Sequence, residues 1–332
     1  MSNKERKNGN SLSIVITVVS GKPALRRCLS ALSPQARAFD AEIIVPYDKW
    51  SLDVGELKNE FPEVNFHLIT NLGKAAKDDV SSHQHRLYDR RRAVGLNLSR
   101  GQLVAMTEDH AVPAPDWVKQ ILAVHKQPFE VIGGAIDNAV DHPLNWALYY
   151  CDFGRYGNPL PESEADYVSD VNVTYKRAAL ESVRNLWAEA YQETIVHWAL
   201  KNQGVSLRLD PRLTVYQHRP EIGFRRAFRE RIEWGRVFAE TRVAMASIWQ
   251  RVFLALMTPL LPPLLLRRLF KHARRQKRTA KQMAVILPVA AVLLIGWACG
   301  EFAGYVRRAP DHEGQPQIAN HDLANSQVSS SE

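Results

Sequence analysis

A short apolar strand, Gln102 to Met106, runs directly into Thr107-Glu108-Asp109-His110, and a Pro-x-Pro-Asp-Trp turn follows at Pro113 to Trp117. Carboxylate and imidazole side chains delivered at the C-terminal edge of a strand are how an α/β enzyme sets a divalent cation against a phosphorylated ligand. Asp48 repeats the pattern, because a second apolar strand, Glu42 to Val45, leads into Pro46-Tyr47-Asp48. The segment from His85 to Leu96 carries Arg86, Arg90, Arg91 and Arg92. Guanidinium groups held toward a sheet edge neutralise a diphosphate through forked hydrogen bonds, and the competing reading is a solvated helix face. Further on, Asp170 lies in Ser169-Asp170-Val171-Asn172, Glu193 opens a helix within Gln192-Glu193-Thr194, and His218 follows a late strand. Each has an ordinary structural alternative: a turn cap for Asp48, a dipole-satisfying helix start for Glu193, a structural imidazole for His218.

The elements that must position these groups are legible from periodicity. Ser13 to Val19 is a β-branched run, followed by Ser20-Gly21-Lys22-Pro23 and a helix with Leu25, Cys28, Leu29 and Leu32 on one face. The Glu42 strand comes next, then a third strand over Asn65 to Thr70 and a polar loop from Asn71 to Ser82. Strand and helix in alternation predict an α/β fold with a mostly parallel sheet and right-handed crossovers. Val131 to Ile136, carrying Gly133-Gly134, and Val168 to Tyr175 read as further strands. The helix opened by Glu193 ends at Asn202-Gln203-Gly204, and two late strands, Ser206 to Leu209 and Leu213 to Tyr216, flank Asp210-Pro211.

Among 332 residues, 45% are hydrophobic and 23% charged, which suits a folded protein. Cys28, Cys151 and Cys299 are too far apart for a metal or redox pair, and a reducing compartment without disulfides is expected. The 43 basic residues exceed the 35 acidic ones by eight, the number of Lys and Arg between Arg267 and Lys281, where no acid occurs. Flanked by apolar segments, this run predicts binding to anionic membrane lipids; with no aromatic interleaving and no zinc-finger spacing, nucleic acid is not expected. Residues 222 to 245 read as a helix with Phe224, Phe228, Ile232 and Trp234 near one face. Val252 to Leu266, broken by Pro259, Pro262 and Pro263, is too short for a hydrocarbon core of about twenty residues and predicts an interfacial or re-entrant segment. Met283 to Val306 either spans or dips into one leaflet, and the positive-inside rule limits the chain to one crossing. The expected organisation is a loose start at 1–11, a catalytic domain at 12–220, a connecting helix at 221–247, membrane-associated helices at 248–306 and a disordered tail at 307–332. With no apolar signal core at the start, the catalytic part is expected on the cytoplasmic face of the inner membrane.

In this order the motifs resemble family 2 of the inverting, nucleotide-sugar-dependent glycosyltransferases, over about Ser13 to His218, and the membrane-seeking tail suits the bacterial members. The resemblance implies the GT-A fold, a Rossmann-like and mostly parallel central sheet flanked by helices, here with a C-terminal helical membrane-associated region. Thr17-Val18-Val19-Ser20 stands where the family has Pro-Thr-Tyr-Asn, so only backbone contacts carry over there. Asp48 matches the strand ending in Asp-Asp-Gly-Ser and is implied to read the nucleobase and ribose. Arg92-Ala93-Val94-Gly95 looks like Arg-Asn-x-Gly and implies Arg92 near the diphosphate. Glu108-Asp109-His110 falls on the Asp-x-Asp motif, with Glu108 for the first Asp and His110 for the second. The resemblance thus implies donor binding by Asp48, Arg92, Glu108 and Asp109. It also implies a metal, Mn²⁺ or Mg²⁺, on Glu108, His110 and His218, and an imidazole ligand favours Mn²⁺.

The family's acidic pair at a helix start is matched by Gln192-Glu193-Thr194, which implies Glu193 as the catalytic base, with Glu189 and Asp170 as alternatives because Thr194 cannot serve. The implied activity is transfer of one sugar from a nucleotide-sugar donor to an acceptor hydroxyl, carbohydrate or lipid-linked, in cell-surface glycan synthesis. The Gln-x-x-Arg-Trp motif of processive members has no intact equivalent at Glu230 to Trp234, so polymer synthesis is not expected. Two other readings stand beside this one. A nucleotidyltransferase would carry a Gly-rich basic first loop, of which only Ser20-Gly21-Lys22 remains. A catalytically inactive nucleotide-sugar-binding or scaffold protein at the membrane is compatible with the substitutions at Glu108, His110 and Thr194.

Overall fold

The computed structural model describes residues 11–71, 80–220, 222–243 and 246–307, and the side chains of 80–85 and 241 are excepted. The loose start before Ser11, most of the polar loop after Asn71, the side chain of His85 and the tail from Ala309 lie outside the described residues.

β1 (Leu12–Thr17), β2 (Glu42–Tyr47), β3 (Asn65–Leu68) and β4 (Leu103–Glu108) are parallel neighbours. The remaining strands are β5 (Ala111–Pro113), β6 (Val131–Asn138), β7 (Ser163–Ala165), β8 (Asn172–Lys176) and β9 (Leu207–Gln217). Among the described residues they form one nine-stranded sheet in the order β3-β2-β1-β4-β8-β6-β9-β5, with β7 on β9. β6 and β9 share the direction of β1 to β4, whereas β8, β5 and β7 run against it. The expected mostly parallel α/β sheet is the one observed.

Alternation along β1 sorts the two faces. Leu12, Ile14 and Ile16 pack on Leu25, Leu29 and Leu32 of α1 (Lys22–Ala38), with Trp117 and Ile121 of α3 (Trp117–Val124) in the same layer. Val15 faces the opposite layer, where Leu96 of α2 (Val80–Leu98) lies with Met106, Tyr175 and Val196. That layer is completed by α5 (Arg177–Ser182), α6 (Arg184–Trp187) and α7 (Glu193–Asn202), while α4 (Pro143–Asp152) leads toward the C-terminal helices. Gly95 has a mechanical role here: a Cβ on it would stand 2.3 Å from Cγ1 of Val15. Its missing side chain lets α2 descend onto β1 and brings Arg92, one turn earlier, to the sheet edge.

The structure differs from expectation at several places, one being the strand read over Val168 to Tyr175, which begins only at Asn172 because a turn closes from Ser169 to Asn172. Val80 to Ser82 belong to α2, not to the loop. The two late strands are one bulged strand, β9, whose register against β6 jumps from Gly134↔Asp210 to Ala135↔Thr214, so that Pro211, which has no N–H for the ladder, falls in the bulge. The segment expected to be broken by prolines is helical instead: α9 (Ile248–Met257), a 3₁₀ turn (Thr258–Leu260) and α10 (Leu261–Arg275). Pro262 and Pro263 occupy the first turn of α10, where no N–H is required, and the basic run begins on that helix. α8 (Phe224–Arg242) and α11 (Ala280–Val306) complete the chain, and Ile248–Arg275 and Ala280–Val306 are long and apolar enough to cross a membrane by length and composition.

Candidate active site

The parallel strands bring their following residues to one edge. Val18 to Ser20 follow β1, Asp48 follows β2, and Asp109 and His110 follow Glu108 at the end of β4. β8 runs the other way, with Asn172 opposite Thr107, so Asp170 enters the same edge from the start of its strand. His218 arrives at the end of β9, and its N–H donates to the carbonyl of His110 at 2.7 Å.

Arg92 is the hub. Its Nη2 donates to Oε1 of Glu108 at 2.9 Å and pairs with Oδ2 of Asp170 at 2.7 Å, while Nη1 lies 3.5 Å from Asp89. Its Nε has no hydrogen-bond partner. The backbone N–H of Asp170 donates in turn to Oε2 of Glu193 at 2.8 Å. Four segments far apart in sequence, α2, the end of β4, the start of β8 and the start of α7, thereby meet in one bonded chain. The Glu193 carboxyl is held well above the usual carboxylate range, first by burial and then by the negative charge of Asp170. Asp89 is pushed up to about 7 by burial, against the opposing charge of Arg92. Behind them, the Tyr175 hydroxyl is 2.6 Å from both the Tyr191 hydroxyl and Nε2 of His197, and the Tyr191 N–H donates to the Asp89 carbonyl.

The Glu108-Asp109-His110 triplet divides into two tasks. Asp109 is fully buried and accepts the backbone N–H groups of Val19, Ser20 and Gly21 at 2.8 to 3.0 Å, which fixes the turn from β1 into α1. Nε2 of His110 lies 3.4 Å from Oε2 of Glu108, while its Nδ1 is 3.1 Å from the Ser20 hydroxyl and 3.2 Å from Asp109. Burial alone would lower the proton affinity of His110, but Asp109 and Glu108 outweigh it and the net shift is upward. Glu108 is raised by burial, against the pull of His110 and Arg92. His218 is shifted down by partial burial and by the charges of Arg27 and His110.

Among the described residues no group of three or more His, Cys, Asp or Glu is arranged to hold a metal. Glu108 and His110 form a facing carboxylate–imidazole pair. Their 3.4 Å separation suits two ligand atoms each about 2.1 Å from one cation, and the remaining positions would be left to substrate oxygens and water.

Sequence reasoning placed Asp48 at the edge, where it is fully buried. Its carboxylate is engaged by Nε and Nη2 of Arg91, both at 2.9 Å, and by the Trp50 N–H. Arg91, which also donates to the Val18 carbonyl, was singled out by no motif; only its place in the arginine cluster pointed to it. Glu189 lies apart from the network, exposed and paired with Arg90 at 2.8 Å. Asp89, Tyr175, Tyr191 and His197 carry no signal in the sequence, because they meet only when α2, β8 and α7 pack together.

No protein-family model and no curated protein matches this sequence. Among solved structures, the chain is similar to a mannosyltransferase from Pyrobaculum calidifontis in complex with GDP-Man and Mn²⁺, at 15% identity, over 90% of this chain and 74% of that one, with a TM-score of 0.45. It is also similar to a mycobacterial protein at 13% identity, over 70% of this chain and 73% of that one, with a TM-score of 0.47.

Proposed function

We propose that the chain is a membrane-associated inverting glycosyltransferase that moves one sugar from a nucleotide-sugar to an acceptor hydroxyl. The observation that carries this reading is the bonded chain of Glu108, Arg92, Asp170 and Glu193 at the C-terminal edge of a Rossmann-like sheet, where such folds bind nucleotides. In a single displacement, Glu193 removes the acceptor hydroxyl proton as the oxygen attacks the anomeric carbon. A carboxyl whose proton affinity is raised is a stronger base once it has lost its own proton. Arg92, whose guanidinium is held at this edge by Glu108 and Asp170, offsets with its positive charge the negative charge that develops on the leaving diphosphate. Asp48 orders the nucleotide end by fixing Arg91, and Asp109 holds the β1–α1 turn whose backbone faces the donor. A divalent cation held by Glu108 and His110 would add Lewis-acid neutralisation of the diphosphate.

The test is calorimetric titration of the detergent-solubilised full chain with UDP-, GDP- and dTDP-sugars, with and without Mn²⁺. The expected result is metal-dependent binding of one donor class that weakens roughly tenfold or more in H110A. Failure to bind any donor would overturn the reading.

A further inference from the structure

α11 is apolar on both faces, but only one is covered. Met283, Ile286, Ala290 and Leu293 are buried against α4 and α10. Val285, Pro288, Val292, Ile295, Cys299, Phe302 and Val306, at alternating steps of three and four, form one exposed stripe opposite them. Ile295 and Phe302 are each 49% exposed. α9, packed on the far end of α11 through Arg251 and the Tyr305 carbonyl, exposes Trp249 by 80%, Phe253 by 61% and Leu256 by 72%. α10 continues with exposed Arg267, Lys271 and Arg274. From 241 to 300 the chain has no Asp or Glu.

The third flank of α11 decides how these faces are used. Gly300 and Gly304 receive α8 at backbone contact, and Gly296 receives the Phe228 ring: a Cβ on Gly300 would stand 2.1 Å from the Ile232 carbonyl oxygen, and one on Gly235 of α8 would stand 2.3 Å from that of Trp297. α8 carries nine charged residues among its nineteen, and Arg231 ties it back to Asp152 of α4. A crossing by α11 would carry α8 into the hydrocarbon, where each Arg or Glu costs on the order of 3 kcal/mol or more.

We propose that α9, α10 and α11 form a one-sided membrane seat that lies in the plane of an anionic leaflet, with neither apolar segment crossing it. The apolar stripe and the exposed face of α9 enter the acyl boundary, the acid-free basic run holds the headgroups, and α8 keeps its charges in water. This inference stands on the packing of the C-terminal helices and is independent of the chemistry at the sheet edge.

The experiment uses the full chain with C151S and C299S, into which V285C, V292C and V306C are introduced singly, and a fourth sample that retains Cys299. Each is spin-labelled and bound to vesicles of phosphatidylglycerol and phosphatidylethanolamine, and label depth is read by power saturation. The stripe from 285 to 306 is about 32 Å long. The seat predicts four labels at one shallow depth, within roughly 10 Å of the headgroups. A depth profile that peaks in the middle of the stripe would overturn it in favour of a span. Water-exposed labels with spin–spin coupling between copies would overturn it in favour of a dimer interface. Flotation of the unlabelled chain supplies the second measurement: binding falls roughly tenfold or more on phosphatidylcholine vesicles or in K271E/R274E, and unchanged binding in both would contradict the proposal.

Discussion

At the scale of single residues, neighbours in a motif separate into chemistry and scaffolding. The sequence shows Glu108-Asp109-His110 as one cluster of potential ligands, and nothing in composition distinguishes its middle member. In the fold, Glu108 and His110 converge to 3.4 Å while Asp109 is spent on three backbone N–H groups of the β1–α1 turn. Removing a buried carboxylate that satisfies several donors leaves them without partners. D109A should therefore lose about 3 kcal/mol or more of stability in urea titration, whereas E108Q, which keeps a side-chain oxygen to accept from Arg92, should lose less. Equal losses in the two variants would contradict this division. The same reasoning explains why Arg91 was not legible. Motif likeness points to Arg92, but only the position of α2 over β1, set by Gly95, shows that Arg91 turns to Asp48 and Arg92 to Glu108.

At the scale of elements, period-two and helical patterns located most strands and helices, and the misreadings have identifiable causes. Asp210-Pro211 read as a break between strands because proline lacks a ladder donor, yet a bulge opposite Gly134 accommodates it. Pro262 and Pro263 read as helix breakers, although proline at a first turn starts a helix. The packing of α8 on α11 was not legible, because a glycine every fourth residue in an apolar helix states only that some backbone comes close. The structure names that backbone as Ile232 and Arg236. G300A should accordingly destabilise by about 1–3 kcal/mol and lower the thermal midpoint, whereas C299A on the exposed stripe should stay within about 0.5 kcal/mol. A G300A protein as stable as C299A would contradict the close approach.

At the scale of the whole molecule, what no window of sequence displays is convergence. Arg92, Glu108, Asp170 and Glu193 lie on α2, β4, the entry to β8 and α7, and only the sheet order β1-β4-β8, with β8 reversed, brings them to one edge. Candidate groups were visible singly; their assembly depends on an antiparallel strand that alternation of strands and helices does not predict. The C-terminal helices add the second large-scale feature, an acid-free apolar and basic surface joined to the central sheet through α4 and α8. The role we propose for Glu193 is that of the base in this assembled site. It is tested most directly by sugar transfer or donor hydrolysis in wild type and E193Q across pH, with donor affinity measured in parallel. Because the base must be ionised and its proton affinity is raised, wild-type turnover should climb with pH through a midpoint above the ordinary Glu value of about 4.3. E193Q should lose on the order of 10² to 10⁴ in turnover while binding donor within about threefold of wild type. Turnover in E193Q close to that of wild type, with the same pH profile, would contradict the claim.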